Sequence, residues 1–166
     1  MELDRKVTYE FFKPLFIDIY TNLGIKNDID NDLEEELKND SQTFSNLIQS
    51  NGIERLHVAW DTLQNIPCGL LLFHKEENNE IMLDLLLVDK NYRGQGIGKR
   101  LVNSTYKTFD GIKIVTVYPV QFNNKNTLKF YESLGFKNLG VGPFDKINIY
   151  GIRYSDMYYH FKLDMP

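Results

Sequence analysis

The sequence has one cysteine, no long apolar run and no excess of basic residues, and each shortage excludes a class of protein. With Cys68 alone, no disulfide can form within the 166-residue chain. No stretch reaches the roughly 18 apolar residues of a transmembrane helix. The net charge of −4 is unlike that of proteins that bind nucleic acid through clustered Lys and Arg. We therefore expect neither a membrane span nor a nucleic-acid partner.

Signals for metal binding and secretion are also missing. The histidines, His57, His74 and His160, show no metal-ligand spacing with one another or with Cys68, so no metal is expected. The opening residues MELDRKVTYEFF lack the apolar core and cleavage site of a secretory signal, and a cytoplasmic location is expected. Because Cys68 lies in the apolar run PCGLLLF, it is interpreted as a buried structural residue.

What the sequence does contain is a clear order of helical and strand patterns. Apolar periodicity predicts helices in residues 8–23, 30–40 and 42–49. From residue 54, the runs RLHVAWD, IPCGLLLF and EIMLDLLLV predict three strands, and the short turns between them predict an antiparallel meander. Helices followed by strands predict a domain of mixed α and β structure.

The second half of the pattern alternates helix and strand. Ile97, Leu101, Thr105 and Phe109 mark one face of a helix that Gly111 is expected to end. The strand IKIVTVY follows and completes a βαβ unit, and the helix KNTLKFYESL and a final strand in DMYYHFKL come next. The predicted fold is α/β (α+β), with three α/β/α layers around a mixed sheet.

Residues 92–101, YRGQGIGKRL, place three glycines at alternate positions between a strand and a helix. Bare backbone N–H groups at such a junction attract anions. A Walker A loop is disfavoured, because Gly94 to Gly98 is one residue too short and Arg100 follows Lys99. The spacing also differs from the G-x-G-x-x-G of dinucleotide-binding folds. A turn that only lets the helix pack closely stays open as the alternative.

A second motif accompanies the first. Arg93-x-x-Gly96-x-Gly98 fits the pattern R/Q-x-x-G-x-G/A, and NKNTLKFYESLGF begins 26 residues after Gly98. Together they closely resemble the GNAT family of N-acetyltransferases, most strongly over residues 80–136. The resemblance implies a splayed sheet in which the strand ending at Val88 parts from IKIVTVY to admit acetyl-CoA. It implies one domain over residues 1–166, with 54–136 binding acetyl-CoA and with 1–53 and 137–166 contributing to the acceptor site.

The same resemblance implies how acetyl-CoA is held. The backbone from Gly94 to Lys99 donates to the pyrophosphate, and Arg93 and Lys99 add positive charge. The pantetheine arm bonds a strand edge like an added strand. Asn124 contacts the cosubstrate, although it could also only cap a helix. The implied binding residues are Leu86, Leu87, Val88, Arg93, Gly94, Gln95, Gly96, Ile97, Gly98, Lys99, Asn124 and Tyr131.

The implied catalytic residues are Tyr131 and Asp84. Tyr131 matches the family tyrosine that serves as general acid to the leaving thiolate, and a core aromatic is the alternative. Asp84 is the only charged residue in IMLDLLLV and matches a position where some members carry the base. A structural aspartate at a bulge is the alternative, and Glu80 or water could act as base instead. Attack without an acyl-enzyme fits the lack of a convincing nucleophile.

The acceptor stays undetermined. The segment before the last strand is rich in aromatic residues, which suit an apolar or cationic amine; these are Phe144, Tyr150, Tyr154, Tyr158 and Tyr159. The leading prediction is an acetyl-CoA-dependent N-acetyltransferase that acts on a primary amine of a small molecule or peptide. A non-catalytic acyl-CoA sensor is the alternative, and a homodimer is a further one.

Overall fold

The computed structural model describes residues 54–119, 125–141 and 159–165, which all lie in one compact unit, Ile53–Pro166. The helices predicted before residue 50 and the tail aromatics up to Tyr158 lie outside these residues, and the single-domain organisation stays a prediction. The described elements are β1 (Glu54–Asp61), β2 (Ile66–Lys75), β3 (Glu80–Val88), α1 (Ile97–Thr105), β4 (Ile114–Val117), α2 (Lys125–Ser133), β5 (Lys137–Val141) and β6 (Tyr159–Asp164).

The strands form one mixed sheet in the order β1-β2-β3-β4-β6-β5. β1, β2 and β3 are antiparallel neighbours, which confirms the predicted meander. β3 and β4 are parallel and are connected through α1, which confirms the βαβ unit. β6 lies antiparallel between β4 and β5. The fold class predicted from the sequence is therefore confirmed.

A β-bulge interrupts β3 at Asp84. Phe73 of β2 is opposite Leu83, whereas the preceding Leu72 is opposite Leu85, so Asp84 is the extra residue of the bulge. Such an insertion bends the strand and changes its register. The parallel pairing with β4 covers only Glu80–Leu83 and stops at this point, where Leu83 is opposite Val117. Beyond the bulge, β3 follows β2 but leaves β4.

One face of the sheet carries the core formed with the two helices. Ile97, Leu101 and Val102 of α1 are buried there with Tyr131 of α2 and Phe161 of β6. The alternation of side chains along a strand places Leu70, Leu72 and Met82 on the opposite face, where they are also buried. The sheet is thus buried on both faces at its centre.

Helix α1 ends earlier than the sequence predicts. Its last residue is Thr105, and turns that are closed by i→i−3 bonds, such as Thr108 N–H to Thr105 C=O, replace the expected extension to Gly111. The hydroxyl groups of Ser104 and Thr105 bond to backbone carbonyls one turn earlier and compete with helical bonding. Phe109 still packs on Phe73 of the core, but from a turn rather than from a helix.

At Gly69 of β2, α1 lies close to the sheet. A Cβ at this position would lie 3.0 Å from Ile97 Cγ2 and 3.2 Å from the Leu87 carbonyl oxygen. A side chain on Gly69 would therefore push the helix from the strand.

We expect Gly69→Ala to lower the free energy of unfolding by about 1–3 kcal/mol, the usual cost of overpacking a core. Urea denaturation measures this change. Gly111→Ala is the contrasting variant: its φ of +71° is unfavourable for alanine, whereas Gly69 has no positive φ, and nothing lies within 4 Å of the added Cβ, so it reports backbone strain without a clash. The double variant Gly69→Ala/Ile97→Ala should lose less than the sum of the two single changes, and strict additivity would contradict the proposed clash.

Candidate functional site

The glycine loop, residues 89–96, leads from β3 into α1. The backbone conformation at two of its positions favours glycine. Gly94 has φ of 78° and Gly96 has φ of 76°, in the left-handed region where a side chain is strained. Gly96 is the residue immediately before α1. Nothing lies within 4 Å of a Cβ built on Gly94, so conformation alone favours glycine there.

At Gly98, the lack of a side chain has a different structural reason. It lies inside α1 with no positive φ, and a Cβ on it would lie 3.2 Å from Cζ of the Phe130 ring on α2. The resemblance implies that the backbone from Gly94 to Lys99 binds the pyrophosphate; the structure shows that the absence of a side chain at Gly98 also lets the two helices pack closely. Within one motif, Gly98 thus serves helix packing, whereas Gly94 and Gly96 serve left-handed backbone conformations.

Hydrogen bonds across the loop fix its shape. The Asp89 carboxylate accepts from the Asn91 N–H at 2.8 Å. The Gln95 side-chain amide donates to the Asn91 carbonyl at 3.3 Å, and Arg100 Nη1 donates to the Gln95 carbonyl at 3.1 Å. Arg100 was not among the predicted site residues; its one sequence signal is its place one helical turn after Gly96.

A second connection joins the loop to the far end of β1. The Tyr92 hydroxyl donates to Asp61 Oδ2 at 2.8 Å. This bond raises the pKa of Tyr92 to about 12. It also lowers the pKa of Asp61, whose carboxylate accepts from the N–H groups of Gln64 and Leu63 as well. The pair is separated by 31 residues, so no local pattern in the sequence indicates it.

Beyond the bulge, β3 has no strand partner on its β4 side among residues 54–119, 125–141 and 159–165, and we call this its open edge. The Asp89 N–H donates to the Cys68 carbonyl of β2, which sets the alternation of the antiparallel ladder. By that alternation Leu87 directs its peptide groups toward β2, whereas Leu86 and Val88 direct theirs toward the side that β4 has left. Leu86 and Val88 therefore carry the backbone groups that a further extended chain would bond.

One of the two predicted cationic side chains contacts this edge. Arg93 is exposed and its Nε donates to the Val88 carbonyl at 3.0 Å, so it joins the loop to the open edge. Lys99 is exposed on the first turn of α1. Gln95 is also exposed, whereas Ile97 is buried in the core and can contribute only its backbone. The loop thus combines bare backbone with two positive charges.

Tyr131 is buried among aromatic rings. Its ring centroid lies 5.0 Å from that of Phe130, 5.4 Å from Phe136 and 6.1 Å from Phe161. Burial raises the pKa of the phenol, so the hydroxyl keeps its proton at neutral pH. Such a group is a hydrogen-bond donor and a weak acid.

Asp84 lies in a polar cluster on the other face of the sheet. Its Oδ2 is 2.6 Å from His74 Nδ1, and His74 Nε2 is 3.3 Å from Glu76 Oε1. The Asp84 side chain is 0% exposed. Burial acts to lower the pKa of His74, but the hydrogen bonds and charges of Asp84 and Glu76 outweigh it and raise the pKa. His74 and Glu76 were not predicted as site residues.

The remaining predicted residues fall outside this cluster. Glu80 begins β3 and its carbonyl closes the turn with the Glu76 N–H, as expected for a turn residue. Asn124 lies outside the described residues. Cys68 is 3% exposed, burial raises the pKa of its thiol, and its reading as a structural residue is confirmed.

Two other features were searched for in the described part of the chain. No group of three His, Cys, Asp or Glu residues has the arrangement of a metal site there. Neither of the two described helices is long and apolar enough to cross a bilayer.

Comparison with known proteins assigns the domain. A family model for the acetyltransferase (GNAT) domain matches residues 52–138, slightly more than half of the chain. The chain belongs to the GNAT acetyltransferase family. Solved GNAT structures share its fold. One is the PaiA N-acetyltransferase of Thermoplasma acidophilum in complex with coenzyme A. It aligns with a TM-score of 0.73 and 19% identity over 99% of this chain and 97% of that one.

Curated GNAT relatives match over shorter segments. The peptidyl-lysine N-acetyltransferase YjaB of Salmonella typhimurium is 33% identical over 86 residues, which are 52% of this chain and 53% of that protein. N-alpha-acetyltransferase 30 of Homo sapiens is 35% identical over 80 residues, 48% of this chain and 22% of that protein. This GNAT chain thus spans about half, or less, of the length of the curated relatives it matches.

The opposite surroundings of two histidines lead to a pH prediction. We expect His74 to titrate above 6.5, and we expect His57 to titrate below it because burial lowers its pKa. The contacts of His74 then raise the free energy of unfolding below pH 6.5, and this contribution is lost as the pH rises through the pKa of His74 in the folded protein. His57 stabilises above pH 6.5, and its contribution is lost as the pH falls through its folded pKa.

Proton NMR titration of the imidazole rings measures both pKa values, and urea denaturation across the same pH range measures the two contributions to stability. Single His→Asn variants at positions 57 and 74 assign the resonances. The reverse order of titration would contradict the arrangement of charges described above.

Proposed function

We propose that this GNAT domain transfers an acetyl group from acetyl-CoA directly to a primary amine. The observation that carries the proposal is the open edge of β3 after Leu83, which lies next to the glycine loop. An open strand edge in the middle of a sheet suits an extended ligand with amide groups. The pantetheine arm of coenzyme A has that chemistry, and its pyrophosphate suits the loop.

The residues present fit this cosubstrate. Leu86 offers its N–H and carbonyl and Val88 its N–H for the pantetheine amides, whereas the Val88 carbonyl already accepts from Arg93 Nε. The loop from Gly94 to Lys99 offers backbone N–H groups, and no side chain projects from Gly94 or Gly96. Arg93 and Lys99 supply positive charge for the phosphates. The same fold in complex with coenzyme A in PaiA supports this assignment.

In the proposed reaction, the amine nitrogen attacks the thioester carbonyl, the new C–N bond forms and the C–S bond breaks. Asp84 takes the proton that the nitrogen loses, directly or through water, and Tyr131 donates a hydrogen bond or its proton to the departing thiolate. The phenol pKa lies above that of a thiol, near 8.5, so hydrogen bonding or late transfer is the expected form of this help. No covalent enzyme intermediate is needed.

The two proposed catalytic residues are on opposite faces of the sheet. Tyr131 belongs to the core beneath the helices, and Asp84 shares the other face with His74. The opening between β3 and β4 connects these faces. An amine that arrives on the Asp84 face and a thiol that leaves on the Tyr131 face would meet at this opening, which fits direct transfer.

The acceptor we propose is a primary amine of a small molecule or a peptide. The curated relatives are named for peptidyl-lysine and N-alpha acetylation, whereas one structural neighbour is described as a putative streptothricin acetyltransferase from Bacillus anthracis, at 25% identity and a TM-score of 0.55. A panel that tests both chemical classes is therefore required.

The first test is thiol release from acetyl-CoA with the purified protein and a panel of peptides, polyamines, amino acids and aminoglycosides. We expect turnover on one class, and we expect Tyr131→Phe to lower kcat by about 10²-fold with an unchanged thermal shift on adding CoA. Phe130→Leu is the packing control and should retain most of the turnover. A thermal shift by CoA with no turnover on any amine would favour the acyl-CoA sensor instead.

We expect Gly96→Glu to abolish CoA binding, because the substitution places bulk and negative charge in the loop. Thermal shift with CoA measures the loss. Gly111→Glu is the matched control: its φ of +71° imposes a comparable backbone strain, and nothing lies within 4 Å of its added Cβ. Equal CoA affinity in folded Gly96→Glu and Gly111→Glu proteins would overturn the placement of the site.

A further inference from the structure

We infer that His74 is a positioning residue for Asp84, and that Glu76 holds the other side of the His74 ring. The inference rests on the proposed function, because it assigns a task to a neighbour of the proposed base. The three side chains come from β2, from the turn after it and from the bulge of β3. Neither of the two pairings, Asp84 with His74 and His74 with Glu76, follows from the motifs of the sequence.

The cluster is a short chain of hydrogen bonds that becomes more exposed along its length. Asp84 Oδ2 and His74 Nδ1 are 2.6 Å apart, and His74 Nε2 and Glu76 Oε1 are 3.3 Å apart. The exposed fraction of the side chain is 0% for Asp84, 11% for His74 and 31% for Glu76. The buried carboxylate is thereby linked to one that water can reach.

The chemistry of the ring determines which form of His74 fits. A neutral imidazole can donate through only one nitrogen, whereas the imidazolium donates through both. Because a carboxylate faces each nitrogen, the imidazolium satisfies both contacts. A fully buried carboxylate is costly without such compensation. His74 therefore supplies the positive charge that allows Asp84 to stay ionised.

Other titratable groups approach the same face from neighbouring elements. Tyr118, which follows β4, stacks on His160 of β6 with ring centroids 4.9 Å apart. Burial, with smaller contributions from Glu80 and Glu76, raises the pKa of Tyr118 to about 12, so it stays neutral at physiological pH. Within the described part of the chain, the charged groups that bond the His74 ring are Asp84 and Glu76.

This arrangement has a consequence for the proposed transfer. A carboxylate bonded to an imidazolium is a weaker base than one without it. Asp84 is thus suited to take a proton after the amine nitrogen has begun to attack, when that nitrogen has become far more acidic. His74 fixes the orientation of the accepting carboxylate and keeps it ionised at lower pH.

The test compares His74→Leu, which removes both ring contacts, with His74→Asn, whose side-chain nitrogen can replace Nδ1 but carries no charge. We expect the acidic limb of the pH profile of kcat/KM to move upward by about 1–3 pH units in His74→Leu. The acidic limb should also move upward in His74→Asn. In this variant kcat should fall less than in His74→Leu, because the contact with Asp84 is retained. An unchanged acidic limb in a folded His74→Leu protein would overturn the inference.

His57→Asn is the control for loss of a half-buried histidine. His57 bonds Ser104 of α1 and packs on Phe73, outside the candidate site, so its replacement should leave the pH profile in place. A shift of the acidic limb in His57→Asn equal to that in His74→Leu would show a general effect of destabilisation and would contradict the specific task of His74. CoA thermal shifts establish that each variant is folded.

A measurement without turnover separates this inference from the proposed function. In the NMR titration of the unliganded protein, Asp84→Asn and Glu76→Gln should each lower the pKa of His74. The pKa of His74 should be lower still in the protein that carries both substitutions. This result would support the cluster even if the wild-type protein acetylated no amine. A His74 pKa that neither substitution changes would overturn the inference whatever the outcome of the acetylation assay.

Discussion

The bulge at Asp84 is the constraint on which the site depends. One extra residue in β3 lets the strand stay paired with β2 while it parts from β4. Unpaired backbone groups in the middle of a sheet are costly unless a ligand or water satisfies them. The opening therefore suits the extended ligand of the proposed function, which would bond this edge. It also places the bulged side chain at the point where the two strands separate.

Close approach of backbone determines what lies beside this opening. Gly69 lets α1 approach β2, and Gly98 lets α2 approach α1. Gly94 and Gly96 allow the left-handed turns that end at the start of α1. Close helix packing and left-handed turns together place the loop next to the strand edge. The bond from Arg93 to the Val88 carbonyl joins the two features directly.

The two faces of the sheet give the proposed acid and base different surroundings. Aromatic rings bury Tyr131 and keep its phenol protonated, which suits a donor. His74 compensates the buried charge of Asp84, which suits an acceptor. Environments that favour opposite protonation states are a common basis for assigning acid and base roles within one site. The opening between β3 and β4 connects the two surroundings.

The sequence by itself determined the elements and the family, because periodicity, turn residues and two spaced motifs are local in the chain. It predicted the meander, the βαβ unit and the glycine loop, but it extended α1 to Gly111 and did not predict β5, whose residues are all exposed. The bulge at Asp84, which the sequence left open as an alternative, is established by the strand register. Only the tertiary structure brought His74 and Glu76 to Asp84 and paired Tyr92 with Asp61. These contacts join residues on different elements, so they depend on strand register and chain crossing, for which a local pattern carries no signal.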